Sequence, residues 1–294
     1  MVASNLGLLL ARHGKRVVLV DLDIGGANLH ILFGHLQPTT TISDFISRKV
    51  ESLNDVAQEV AWGSGLRLMP GTGHTLATAN LPFGKKQRLM RHLRLLDADI
   101  VLLDCPPGTS FQSLDFFLQG DAQVVVANPD PTSVIELYRF LKLAALRKVL
   151  TQVLTRDQNG IKAALMEKEF SSIDEVLAAI GEDEYETREA ARQTLEEFNP
   201  LFVLNRITLN SKLTIAYLQQ MVGKFIGGAL VMLGEVPADE SVEQSMRNFQ
   251  PVVDLAPTSP ASIELDLIMN RLLLCIVHQQ RSPFQGKTLA KQAR

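Results

Sequence analysis

The sequence predicts an α/β protein with a doubly wound, mostly parallel sheet, and three observations carry that prediction. Continuous apolar runs bounded by Gly, Pro and Asp, typical of strands buried on both faces, recur along the chain. Amphipathic segments of helical period separate most of them, which implies right-handed crossovers. Polar residues gather where the runs end, and such sheets bind ligands beyond the carboxyl ends of their strands.

A helix over about 2–13 opens the chain and Gly14 closes it. The first strand, Arg16–Asp21, is unbroken Val-Val-Leu-Val before its final Asp. Leu66–Met69 lies between Gly65 and Pro70, and a helix over 83–96 leads to the strand Asp99–Asp104, which Cys105-Pro106-Pro107 stops. A helix over 110–119 precedes the strand Gln123–Asn128, ended by Pro129, and the helix 133–154 follows. Leu201–Asn205 starts after Pro200, Ala229–Leu233 sits between Gly228 and Gly234, and Val252–Leu255 follows Pro251. Helices over 211–226, 240–249 and 260–279 complete the alternation.

Residues 151–200 break it. They read as two or three helices without a strand and carry 12 Asp/Glu against 5 Lys/Arg, densest at Glu182-Asp183-Glu184-Tyr185-Glu186. A solvated helical insertion and a docking surface for a partner are both open readings. The helix bearing Lys85, Lys86, Arg88, Arg91, His92 and Arg94 reads as a solvated face, or else as a phosphate- or DNA-contacting patch. Residues 280–294 read as a flexible tail with too little apolar face for a membrane-surface helix.

At 294 residues, 46% hydrophobic, 21% charged and net charge −3, the chain forms one large domain, 1–294, and is not globally basic. Two distant cysteines, Cys105 and Cys275, argue against a disulfide scaffold and fit a reducing, cytoplasmic compartment, with a peripheral place at membrane or nucleoid still open.

The chemistry concentrates in Asp21-Leu22-Asp23-Ile24-Gly25-Gly26-Ala27-Asn28-Leu29, two alternate carboxylates at a strand end followed by two glycines. A second carboxylate, Asp104, ends Ile100-Val101-Leu102-Leu103 and leads into Cys105-Pro106-Pro107-Gly108-Thr109-Ser110. A third strand ends in Leu204-Asn205-Arg206, and Gly234-Glu235-Val236-Pro237-Ala238-Asp239 follows. In this order the four segments resemble the MinD/ParA family of P-loop ATPases, nearest the branch of flagellar-number regulators of the FlhG type. The resemblance runs from Val2 to about Leu274, outside the acidic insertion.

The resemblance implies a P-loop sheet, ATP and Mg²⁺ as cofactors, and a role for each matching residue. Asp23 would orient the attacking water, with Asp21 and Asp104 on the metal side. Such roles suit phosphoryl transfer, in which positioning and charge stabilisation dominate. Asn28 would support switch I beside the nucleotide, and Gly108 would let the switch II backbone approach a γ-phosphate. Asn205, Arg206 and Pro237 would lie around the base, Asn205 pairing with adenine edges. Guanine-specific relatives carry Asp three residues after this Asn; Thr208 stands there and favours ATP. His30 receives no role.

The family's Lys-Gly-Gly-Val-Gly-Lys-Ser/Thr loop would end one residue before Met1, so the expectation is that the first strand and this loop are absent, with a gap beside the Asp99–Asp104 strand. No Gly-Xaa-Xaa-Xaa-Xaa-Gly-Lys-Ser/Thr occurs anywhere in residues 1–294, and the chain as it stands is expected to be inactive. The family implies an ATP-dependent homodimer, a protein partner that stimulates hydrolysis, and an output in division-site placement, partition or flagellar number. The competing reading is a non-catalytic, partner-binding relative. Switch II also resembles that of the Mrp/Nbp35 iron–sulfur carriers, but those need a cysteine pair at a shared cluster.

Overall fold

The computed structural model describes residues 1–60, 65–71, 81–154, 160–181, 184–209, 211, 218–220, 222–223 and 228–281. The fold is α/β, with two sheets. β1 (Val17–Asp21), β2 (Gln58–Glu59), β3 (Leu66–Met69) and β4 (Ile100–Asp104) run in the order β2-β3-β1-β4, parallel except for the short edge strand β2. β5 (Val124–Ala127), β6 (Leu201–Ile207) and β7 (Val231–Pro237) form a parallel sheet in that order. Among the described residues no ladder joins β4 to β5, the interruption expected at this place. Val126, within β5, is 46% exposed.

The helices cover these sheets. α1 (Val2–Arg12) packs on β1, β3 and β4, with Leu6, Leu8, Leu9 and Leu10 buried. After α2 (Ile42–Ile46) come α3 (Phe83–Leu93), α4 (Phe111–Phe117) and α5 (Pro131–Gln152), whose Asp130 cap accepts the Ser133 amide at 2.9 Å. The acidic segment contains α6 (Ile161–Glu167), α7 (Ile173–Ile180) and α8 (Tyr185–Glu196), packed on one another and on α5. α9 (Glu240–Arg247), α10 (Val252–Leu255) and α11 (Pro260–Arg281) close the chain, and α11 lies along β7 and α1.

Three expectations need correction. Val252–Leu255 is one helical turn, α10, and not a strand. Pro251 caps it, Val252 and Val253 are buried in the cluster shared with α1 and α11, and an apolar run this short fits a turn as well as a strand. Asn5 accepts the Val253 amide at 3.1 Å and Arg12 pairs with Asp254, so the turn is fixed from the α1 side. β7 begins at Val231 and runs through Gly234 to Pro237, later than the Ala229–Leu233 strand read from sequence. Gly234 does not break the strand, because a side chain there would meet Ile268 at 2.5 Å and also Glu264, both on α11. The basic helix α3 is not simply a solvated face. Lys86 turns inward to Asp115, and Arg88 lies 4.0 Å from the Phe45 ring centre while donating to the Phe45 carbonyl. The 211–226 helix falls mostly outside the described residues, as does nearly all of the 280–294 tail.

Candidate functional site

β1 and β4 are paired in register so that Asp21 lies opposite Asp104, each the last residue of its strand. The chain then turns: the Leu22 amide donates to the Asp104 carbonyl at 2.9 Å, locking the exit of β1 to that of β4. Asp21 is almost fully buried. Its two carboxylate oxygens accept from backbone amides, Asp23 at 3.1 Å and Leu29 at 3.1 Å. The loop carrying Asp23, the glycines and Asn28 is therefore folded back onto Asp21. Burial pushes the Asp21 carboxyl up to about 7, aided by Asp104 and Asp23, while the two amides pull it down. Burial also raises Asp104, and Asp23 raises it further.

Asp23 is half-buried, and its Oδ1 accepts the Gly26 amide at 3.2 Å. A side chain at Gly26 would crowd Asp23 Oδ2 at 3.0 Å, so the second glycine keeps that carboxylate's position. Asn28 and Gly108 are exposed, and Gly108 adopts φ +84° with open space about it, a backbone conformation that favours glycine. Asp21, Asp23 and Asp104 are thus gathered at one sheet edge, with Gly108 four residues beyond Asp104.

The predicted base-side residues belong to the second sheet. Asn205 Nδ2 donates to Asn128 Oδ1 at 3.4 Å, while Asn205 Oδ1 is buried without a hydrogen-bond partner. Arg206 is exposed at φ +60°, and Pro237 ends β7. Three contributors escaped the sequence reading. Leu29 acts through its amide, which no side-chain pattern reveals. Asn128 was visible as a strand-end polar residue but had no role until it met Asn205. Gly71 follows β3, where a side chain would collide with the Asp21 carbonyl oxygen; Met69-Pro70-Gly71 carried only a turn signal. His30 is buried with Nδ1 unpartnered, and burial, followed by His35, lowers its pKa.

A family model described as "ParA: NUBPL iron-transfer P-loop NTPase" matches residues 1–160, more than half of the chain. The chain belongs to the ParA family of P-loop NTPases. Among curated ParA-family relatives, the antiactivator FleN of Pseudomonas aeruginosa is 26% identical over 279 residues, covering 92% of this chain and 80% of FleN. The septum site-determining protein MinD of Bacillus subtilis is 29% identical over 142 residues, about half of each protein. The fold matches MinD of Pyrococcus furiosus with TM-score 0.63 at 16% identity, covering 93% and 92% of the two chains. MinD of Pyrococcus horikoshii, solved with Mg-ADP, matches with TM-score 0.62 at 17% identity, covering 96% and 93%.

The residues present fit a nucleotide on two counts. The orphaned Asn205 Oδ1 is an acceptor facing no donor, and an exocyclic amino group such as that of adenine would satisfy it. Asp104, partly exposed at the end of β4, fits Mg²⁺, which takes few protein ligands and keeps several waters, and Asp21, whose two oxygens already accept the Asp23 and Leu29 amides, would support it from behind.

Proposed function

We propose that this chain is a nucleotide-switched spatial regulator of the MinD/ParA type, hydrolysing ATP with Mg²⁺ in the full-length form. The observation that carries the reading is the Asp21–Asp104 register with the Asp23 loop folded onto Asp21. Bound Mg²⁺ would neutralise charge on the transferring phosphate. Asp23, held by the Gly26 amide, orients water. Asp21 holds the loop through Leu29 and supports the metal side together with Asp104. Gly108 offers a backbone amide to the phosphate end, and Asn28 supports the loop. Asn205, with Asn128 behind it and Arg206 and Pro237 at the rim, receives the base. The output is placement of a flagellum, division site or partition complex, through an ATP-dependent homodimer and a protein that stimulates hydrolysis. The relatives' names, an antiactivator and septum and flagellum site-determining proteins, support that output.

The test is to fuse a strand and a Lys-Gly-Gly-Val-Gly-Lys-Thr loop ahead of Met1 and measure phosphate release. Slow Mg²⁺-dependent turnover is expected, with at least a tenfold loss in Asp23→Ala at unchanged melting temperature. Undiminished turnover in Asp23→Ala removes Asp23 from the mechanism. Residues 1–294 alone are expected to bind Mg·ATP no tighter than about millimolar, worth about 4 kcal/mol. Micromolar affinity in calorimetry would mean that another segment cradles the phosphates. A fused form that neither binds nor turns over ATP would favour the non-catalytic, partner-binding reading.

Iron–sulfur carriage finds little support in the thiols. Burial, then Asp104, pushes the Cys105 thiol up to about 12. Cys275 packs against a different part of the core.

A further inference from the structure

α11 docks on its own domain through Leu265, Ile268, Met269 and Leu272, all buried, and through Arg271, which donates to the Leu233 carbonyl at 2.6 Å and pairs with Glu264 at 3.1 Å. Its opposite side carries Ile263, Leu267, Asn270, Leu274 and Val277. A helix face turned to water ordinarily carries charged and polar residues. Here four of the five are aliphatic, and they are 54%, 42%, 61% and 42% exposed in chain order. Their spacing of 4, 3, 4 and 3 residues is the repeat of a coiled-coil seam, sustained over about 21 Å of helix.

We propose that this outer face of α11 pairs, in parallel, with the same face of a second copy of the chain, forming an interface that needs no nucleotide. Asn270, at the middle of the seam, selects this occupant. A two-fold axis along the pair sets one Asn270 against the other, so that each amide meets an identical donor and acceptor. Against a lipid surface or a wholly apolar groove the same amide would be buried with only its intrahelical bonds to Asp266, at 2.9 and 3.2 Å. Charge at the flanks agrees. Asp266 and Arg271 occupy the two positions beside the seam that meet across a parallel pair, so each Asp266 faces the second copy's arginine, twice per dimer. A guanidinium has five N–H donors, enough to keep its contacts with Leu233 and Glu264 as well. Leucines alternating with β-branched residues in this phase favour three or four strands among free helices. α11 has only one free side, because its other side is buried on its own domain, and that limits the assembly to two.

The interface goes beyond the proposed ATPase reading and is tested without nucleotide, so the two fail separately. Sedimentation equilibrium of residues 1–294 in EDTA should show a monomer–dimer equilibrium at micromolar concentration. Leu267→Glu with Leu274→Glu should raise the dissociation constant at least about tenfold, by burying unpaired carboxylates. The circular dichroism spectrum should hold, and the melting temperature should match that of the wild type measured well below its dissociation constant, because both sites face water in the monomer. Asn270→Lys, which sets two ammonium groups opposite each other, should do the same and serves if the double variant misfolds. Asn270→Cys should cross-link readily to itself under mild oxidation. A wild-type chain that stays monomeric at about 100 μM, or a dimer indifferent to both variants, overturns the proposal. So does a monomer that floats with phosphatidylglycerol vesicles and loses them on Leu267→Glu, since the face would then belong to a membrane.

Discussion

Asp115 sits on α4 between two cations from other helices, Lys86 of α3 and Arg147 of α5, the latter at 2.7 Å, and all three side chains are largely buried. Burial alone would raise the Asp115 carboxyl; Arg147 and Lys86 overcome it and hold the group below the usual carboxylate range. A depressed native pKa contributes stability that is fully present above the unfolded value of about 3.9 and is lost as pH falls through the lower native value. Asp115→Ala leaves two buried cations facing each other and should cost about 3–5 kcal/mol in urea denaturation at pH 7. The deficit should shrink when the same measurement is made near pH 3, and a pH-independent deficit would mean that packing, not charge, sets it. The triad was hidden from the sequence, because Lys86 looked like one of six cations on a solvated face and only the fold brings Asp115 and Arg147 to it. Asp21, Asp104 and Asn205 were legible for the opposite reason: each ends an apolar run, with Asp23 two residues beyond Asp21, and the run's termination in a polar residue marks the carboxyl edge of the sheet without any knowledge of neighbours. What they bond to was not legible, since the Leu29 and Gly26 amides belong to the backbone.

At the scale of elements, the strands at Arg16–Asp21, Leu66–Met69 and Asp99–Asp104 kept their places, while Ala229–Leu233 shifted toward Pro237 and the four residues Val252–Leu255 formed one turn in place of a strand. Val252–Leu255 became α10 because Asn5 and Arg12 reach it from α1, contacts some 240 residues apart in the chain. Gly234 shows the converse: read as a break, it stays in β7 because α11 crosses directly over it. Gly234→Ala would drive a methyl group into Ile268 and Glu264, and α11 would have to lift from β7 to admit it. The expected cost is about 1–3 kcal/mol of overpacking, read as a lowered urea midpoint with unchanged slope. Ile268→Ala, which opens space over the same glycine, should recover part of the loss when combined with Gly234→Ala. Strictly additive losses would show that the two residues do not share the contact.

The whole molecule is a sheet divided in two. Among the described residues β1 is laddered on both sides, by β3 and β4, and β6 likewise by β5 and β7, whereas β4 and β5 are each laddered on one side only. The halves nevertheless share a core: Ile100 and Leu102 of β4 and Val124 of β5 pack on the cluster that contains Leu201, Val203 and the α1 leucines. Side-chain packing therefore bridges the division while the backbone does not, and the two should report differently on the native state. Amide exchange follows local hydrogen bonding and the free energy of local opening. The amides of β1 and β6 should exchange slowest. Those of β4 and β5 that point away from their one paired neighbour should exchange at least tenfold faster, although both strands lie in the interior of the strand order implied by their crossovers. In the form carrying an added strand and loop ahead of Met1, protection should rise in β4 and β5 and stay unchanged in the edge strands β2 and β7. Equal protection across β1, β4, β5 and β6 in residues 1–294 would mean that the sheet closes in solution. Asp104 and Asn128 would then approach each other across a continuous edge, and the separation of the carboxylate side from the base side, on which the ATPase reading depends, would be lost.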